Sequence, residues 1–411
     1  MSQVAAVPVP VTGLAPAAAD AARAEHRWRL GASLLLVLFL FLANLGLQWD
    51  IRWHGAVGRD SFWTAPHLLL YSGVALAGLL CLAVVLATTV RYHRGDPALD
   101  DENTIVVFGV FRGPLGFVIA GFGMLTLLAA APLDDYWHRL YGIDVALWAP
   151  FHLMGLVGGG IAGLGTIYAL AAEAARARTR GWVRWRLAGF SGLELWTLFA
   201  AAGLLTGMLT LAQPAAWEFP TFDVGPVRLV LSYPLLLAVP VVLLAVAVVR
   251  LTRRPGAAIV MVGLYVLRQL ATGAFVPWAI HVAVAQQGLA YRSPAAEPRF
   301  SVFNLTVAAA FFVPAVLIDL AAWGGSRDLA CPRVAALAGA LAALPLFALG
   351  AWLVAYSMTH ARALGAPPEL LVPALPPASA VWLALPLTLL LGAAAGALGS
   401  GLGANLRLNE R

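Results

Sequence analysis

Two stretches of the chain repeat one arrangement of carboxylate, tryptophan and histidine. In each, an Asp is followed four positions later by a His with a Trp directly before it, and a second His comes 13 or 14 residues further on, just after a Pro. The residues of metal-ligating type are Asp50, His54 and His67 in the first copy and Asp134, His138 and His152 in the second. An Asp also lies six residues after the first His of each copy, at Asp60 and Asp144. This repetition indicates shared chemistry.

The spacing predicts a metal site in each copy. Residues four apart on a helix lie on one face, so Asp50 and His54 converge if that segment is helical, as do their counterparts in the second copy. The second His follows a bend at Gly58 or Gly142 and a Pro that can open the next helix. A carboxylate and two imidazoles, brought from two helix ends, then face one point. Such a ligand set suits non-haem iron, copper or zinc, and the ligand types alone leave that choice open.

The composition is that of an integral membrane protein. Hydrophobic residues make up 61% of the chain and charged residues 11%, with mean hydropathy +0.84, whereas about one quarter of a soluble domain is charged. Stretches of about 20 apolar residues can cross a bilayer. They lie near residues 31–48, 66–90, 112–131, 147–172, 189–212, 228–250, 257–285, 301–323, 333–357 and 379–404. We therefore predict an all-α, polytopic integral membrane protein of about ten transmembrane helices, arranged as tandem hairpins.

Arginine placement orients these helices, because short cytoplasmic loops carry most of the basic residues. The chain has no Lys, and 18 of its 26 Arg residues fall on one side. Both termini are predicted to be cytoplasmic, with both motif copies at the periplasmic side of a bacterial inner membrane. This asymmetry explains the net charge of +6, so we expect no nucleic-acid partner. The predicted regions are a disordered cytoplasmic tail (1–28), a metal-binding four-helix membrane region (29–175) and additional membrane helices with degenerate repeats (176–411).

The copies belong to a longer internal repeat. The acidic residues Asp50, Asp134 and Glu218 are 84 residues apart, and each is followed 16 residues later by a Pro. The third unit carries Phe222 and Leu235 where the others carry His. The metal chemistry is therefore predicted only for the first two units.

Two ionisable residues fall inside predicted helices seven and eight. Such residues are costly in a membrane and usually have a partner or a function. Arg268 and Asp319 are predicted to form a structural intramembrane ion pair, and passage of a proton or an ion along them is the alternative.

The motif copies resemble the C subunit of the particulate methane and ammonia monooxygenases. The first copy reads Asp50-x3-His54-x4-Arg59-Asp60-x3-Thr64-x2-His67, which is similar to that subunit's copper motif. The second ends in Ala149-Pro150-Phe151-His152, similar to the end of its Asn-x3-His-x13-His site. Asp134 stands where the family has Asn, and Asp144 where Glu is expected, so the second site is more acidic and its metal can differ. The resemblance covers roughly residues 30–170.

The resemblance implies a membrane copper-binding protein within an oxygen-activating hydroxylase of small apolar substrates, with iron or zinc as other candidate cofactors. Asp60 and Asp144 would orient imidazoles through the free ring N–H. The implied partners are the lipid bilayer and either other monooxygenase-type subunits or a homo-oligomer. The alternative is a membrane metal-handling or cation transport protein, with Arg268 and Asp319 on the ion path. A scaffold subunit without metal is a third hypothesis.

Overall fold

The chain folds into long apolar helices. The computed structural model describes residues 16–58, 61–97, 99, 103–142, 147–183, 185–213, 221–224, 227–323, 328–363 and 378–407. The helices are α1 (Pro16–Ala56), α2 (Ala65–His93), α3 (Leu115–Tyr141), α4 (Pro150–Thr179), α5 (Gly192–Ala212), α6 (Ser232–Thr252), α7 (Ala257–Gln287), α8 (Val302–Ala310), α9 (Phe312–Trp323), α10 (Pro332–Ala363) and α11 (Ala378–Asn405). In these ranges ten segments are long and apolar enough to span a membrane, α8 and α9 together forming one. The all-α polytopic prediction is confirmed.

In the described ranges, three short antiparallel hairpins connect helices, and they were not predicted. β1 (Thr104–Val107) pairs with β2 (Phe111–Pro114), β3 (Arg186–Leu187) with β4 (Phe190–Ser191), and β5 (Thr221–Val224) with β6 (Val227–Leu231). The first hairpin turns through the three residues Phe108, Gly109 and Val110, and Val110 donates its N–H to Val107 O. Phe108 and Gly109 both have positive φ, as the central residues of a primed turn require. A hydropathy window of helical length does not detect elements this short.

Sequential helices pack as hairpins in the N-terminal half. α1 lies against α2, and α3 lies against α4, while α4 also contacts α5 and α1. Farther along the chain, α6 is the most enclosed helix and packs against α10 and α11. Pro234 lies in the first turn of α6, as Pro66 does in α2 and Pro150 in α4. These prolines keep the 84-residue spacing in the first turns of their helices, although Glu218 lies outside the described residues.

Glycines allow the backbones of α3 and α4 to touch. A Cβ atom on Gly116 would lie 2.4 Å from Ala169 N, and one on Gly165 would lie 2.4 Å from Ala120 N. Small residues at such crossings give van der Waals contact between membrane helices, which have no hydrophobic driving force between them. This packing fixes the second motif copy, whose ligands come from these two helices.

The first helix begins earlier than predicted. Residues 16–28 of the predicted disordered tail are helical, and side chains near the end of this stretch pair with residues of α2 and α4. Nδ1 of His26 lies 2.6 Å from Glu173 Oε2 of α4, and Glu25 pairs with both Arg29 and Arg91. Glu173 and Arg91 lie far away in sequence, so the local sequence does not indicate these partners, which compensate the buried ionisable groups.

The outer faces of the helices are apolar. Exposed leucines recur on α2, α10 and α11, among them Leu79, Leu337, Leu390 and Leu398. Water-soluble monomers rarely expose apolar patches this extensive. The chain is an integral membrane protein whose surface suits contact with lipid.

Candidate metal centres

The first cluster forms where α1 ends and α2 begins. Asp50 and His54 lie one turn apart near the end of α1, and His67 lies in the first turn of α2. Oδ1 of Asp50 is 3.1 Å from His67 Nε2 and 3.6 Å from His54 Nε2. The structure therefore brings the three predicted residues together as the i, i+4 spacing indicated.

The second cluster repeats this arrangement between α3 and α4. Asp134 and His138 come from the last turns of α3, and His152 from the first turn of α4. Oδ2 of Asp134 lies 3.3 Å from Nε2 of each histidine. His67 of the first cluster also lies within electrostatic range of Asp134, so the two clusters are neighbours.

Backbone carbonyls set the ring orientation of one histidine in each cluster. His67 Nδ1 is 2.9 Å from Ser61 O, and His138 Nδ1 is 3.3 Å from Gly142 O. A carbonyl oxygen only accepts, so Nδ1 carries the proton in both rings. With this tautomer, the lone pair of Nε2 in a neutral ring faces the carboxylate oxygen, a repulsive contact that a cation between the two atoms would relieve. Gly142 reaches this position with φ of +87°, a conformation that costs a glycine little.

This donor set fits a metal ion. Tetrahedral ligands at about 2.0–2.2 Å from a metal are separated by about 3.3–3.6 Å, close to the observed oxygen–nitrogen distances of 3.1–3.6 Å. Among the described residues, Oδ1 of Asp50 and Oδ1 of Asp134 are buried and make no hydrogen bond. A cation would compensate these oxygens. The predicted orienting residues Asp60 and Asp144 lie outside the described residues, and carbonyls serve His67 and His138 in the described part.

A cavity of about 290 Å³ opens onto both clusters. Five of the six ligand residues line it: Asp50, His54, His67, Asp134 and His152. It then continues along α1 and α4 between apolar walls as far as Arg268 of α7. Glycines on α4 make this space, since a Cβ on Gly160 would meet no atom within 4 Å. Six glycines lie between residues 155 and 165 of the sequence, but their spacing does not indicate which of them face a cavity.

The loop after α7 packs against the end of α1 beside the first cluster. Arg292 donates its backbone N–H to Ala56 O at 2.9 Å. Tyr291, outside the spans, hydrogen-bonds to Nδ1 of His281. Burial and the charge of Glu297 raise the pKa of Tyr291, which extends to higher pH the range in which its phenol can donate a hydrogen bond. His281 is thereby engaged in holding this loop.

The structure does not bring Arg268 and Asp319 together. Asp319 accepts hydrogen bonds from Ile259 N at 2.9 Å and Ala258 N at 3.4 Å, at the start of α7. Arg268 lies nine residues farther along that helix, about 14 Å by helical rise. The predicted ion pair is wrong because the first N–H groups of α7 lack partners within the helix and take the carboxylate instead.

Asp319→Ala is expected to lower the free energy of unfolding by about 1–2 kcal/mol, since α7 loses its cap. Chemical unfolding in detergent micelles measures this. In the double variant with Arg268→Met, the two effects should add to within about 0.5 kcal/mol, as expected for separate sites. A larger coupling energy would show that the two side chains interact.

Comparison with known proteins does not assign the chain to a family. No family model, curated protein or solved structure matches the chain. The fold and the clusters define an integral membrane protein with paired Asp-His-His sites on helix hairpins.

Proposed function

We propose that this chain binds a metal ion in each Asp-His-His cluster, copper first with iron or zinc as alternatives, and belongs to an oxygen-activating hydroxylase of small apolar substrates. The observation that carries the proposal is that both clusters open into one largely apolar cavity. The motif resemblance to the monooxygenase C subunit supports copper in the first cluster. Bound copper would supply the redox chemistry that activates oxygen.

The chain's own residues have separable roles in this proposal. Asp50 and Asp134 supply the negative charge that favours a cation, and the four imidazoles supply neutral nitrogen ligands. Ser61 and Gly142, through their carbonyls, hold two rings with Nε2 toward the carboxylate. Apolar residues such as Leu127 and Leu156 line the cavity beyond the clusters, where they exclude water and favour an apolar substrate.

Metal analysis of protein purified without chelators tests the proposal. We expect two metal ions per chain, one after His54→Ala or His138→Ala, and none after both substitutions. Oxygen consumption that requires both a small alkane and an added electron donor should fall with the metal content. The control is His281→Ala, which removes an imidazole that pairs with Tyr291 outside the clusters. Less than one metal ion in the wild-type chain, or unchanged content in the double variant, would refute metal binding.

The orientation of the chain is part of the proposal. The arginine distribution favours cytoplasmic termini and clusters at the periplasmic face of a bacterial inner membrane. Other monooxygenase-type subunits or a second copy of the chain are the proposed protein partners. Cation transport has less support, because Asp319 is engaged with the α7 backbone and a fixed guanidinium at Arg268 opposes a cation in the cavity.

A further inference from the structure

Arg268 is a buried cation in the part of the cavity away from the clusters. It is 5% exposed, and its guanidinium carbon lies 4.7 Å from the ring centroids of both Phe41 and Phe199. A Cβ on Gly203 would come within 3.2 Å of its Nη2. The glycine therefore leaves the space that the guanidinium occupies.

The aromatic rings do not provide hydrogen-bond acceptors for the guanidinium of Arg268. Ring faces attract the charge of a guanidinium, but its N–H groups lie in its own plane and need acceptors. In the described part of the chain, Nε of Arg268 makes no hydrogen bond, and no carboxylate lies close enough to pair with the guanidinium. A buried charge without a counterion is unfavourable, so the site favours an anionic ligand.

The dimensions and the lining of the cavity indicate how long and how polar that ligand is. Phe41, which stacks on Arg268, precedes Asp50 by nine residues of α1, on the order of 14 Å by helical rise. The walls between these levels are mainly aliphatic, and include Leu47, Leu127 and Leu204. A ligand that fills the cavity is therefore anionic at one end and apolar over the rest.

We propose that the cavity binds a single-chain amphipathic carboxylate lengthwise. Its head group lies at Arg268, whose planar fork matches a carboxylate, and its apolar chain runs past the α4 glycines toward the clusters. Binding itself rests on Arg268 and the apolar walls. In the proposed hydroxylase, this ligand would present only its apolar end to the metal centres, and that role rests on the proposed function.

Binding of radiolabelled decanoate to the protein in lipid nanodiscs, corrected for protein-free nanodiscs, tests the proposal. We expect saturable binding that decanol competes for at least tenfold less well than unlabelled decanoate. Arg268→Met should weaken binding at least tenfold, and so should Gly207→Leu, because a Cβ at Gly207 meets no atom within 4 Å and the larger side chain enters the cavity. The control is Arg299→Met, since Arg299 is exposed and pairs with Glu297.

Equal competition by decanol and decanoate on the wild-type protein would overturn the proposal, as would decanoate binding unchanged by Gly207→Leu. The decanol comparison needs no variant, so it decides the matter even if Arg268→Met does not fold. Chelator-treated protein separates this inference from the proposed function. Decanoate binding should persist there, and a chain that binds decanoate but never metal refutes the metal proposal alone.

Discussion

Asp134→Asn is expected to lower the metal affinity of the second cluster at least about a hundredfold, a loss of about 2.7 kcal/mol. One oxygen of Asp134 faces both His138 and His152 at 3.3 Å, so the substitution removes the anionic member of the cluster and keeps its shape. The measurement is a metal titration of chelator-treated protein carrying His54→Ala, so that the first cluster does not contribute.

Asp135→Asn is the matched control for this experiment. Asp135 is the next residue of α3 and pairs with Arg139 at 2.6 Å, away from the histidines. The same change of charge should leave the affinity within about twofold, since a solvent-exposed pair contributes little. Equal losses in the two variants would mean that overall charge, and not ligation by Asp134, governs binding.

The clusters were predictable because their geometry is local. Asp50 and His54 are one helical turn apart, and Pro66 starts the next helix one residue before His67. A short bend then suffices to close the site. The same reasoning holds for the second copy, where Gly142 provides the positive φ at which α3 ends. Periodicity and turn chemistry fix such sites with little help from the rest of the fold.

The surroundings of Arg268 were not predictable, because they depend on contacts between helices far apart in sequence. Its stacking partners Phe41 and Phe199 belong to α1 and α5. No spacing rule brings these helices to α7. Asp319 likewise bonds to the start of α7 from 60 residues away, and His26 finds Glu173 across 147 residues. In each case an ionisable side chain was visible in the sequence, but its partner was not.

Gly165→Ala is expected to be among the most damaging single-methyl substitutions in the chain. The added Cβ would lie 2.4 Å from Ala120 N and 2.6 Å from Gly116 O, both backbone atoms that cannot rotate away. Separating α3 from α4 should cost about 3 kcal/mol or more, at the upper end of overpacking effects. Unfolding of detergent-solubilised protein would measure this loss, and metal bound by the second cluster should fall with it.

Gly160→Ala is the matched control, since it adds the same methyl group to the same helix where no atom lies within 4 Å. Its stability should be unchanged or slightly higher, because alanine favours the helical backbone over glycine. The pair thus separates steric contact from helix propensity, which acts equally at both positions. If the two variants unfold alike, close contact between α3 and α4 does not hold the second cluster together, and its ligands must be positioned by the loop that joins these helices.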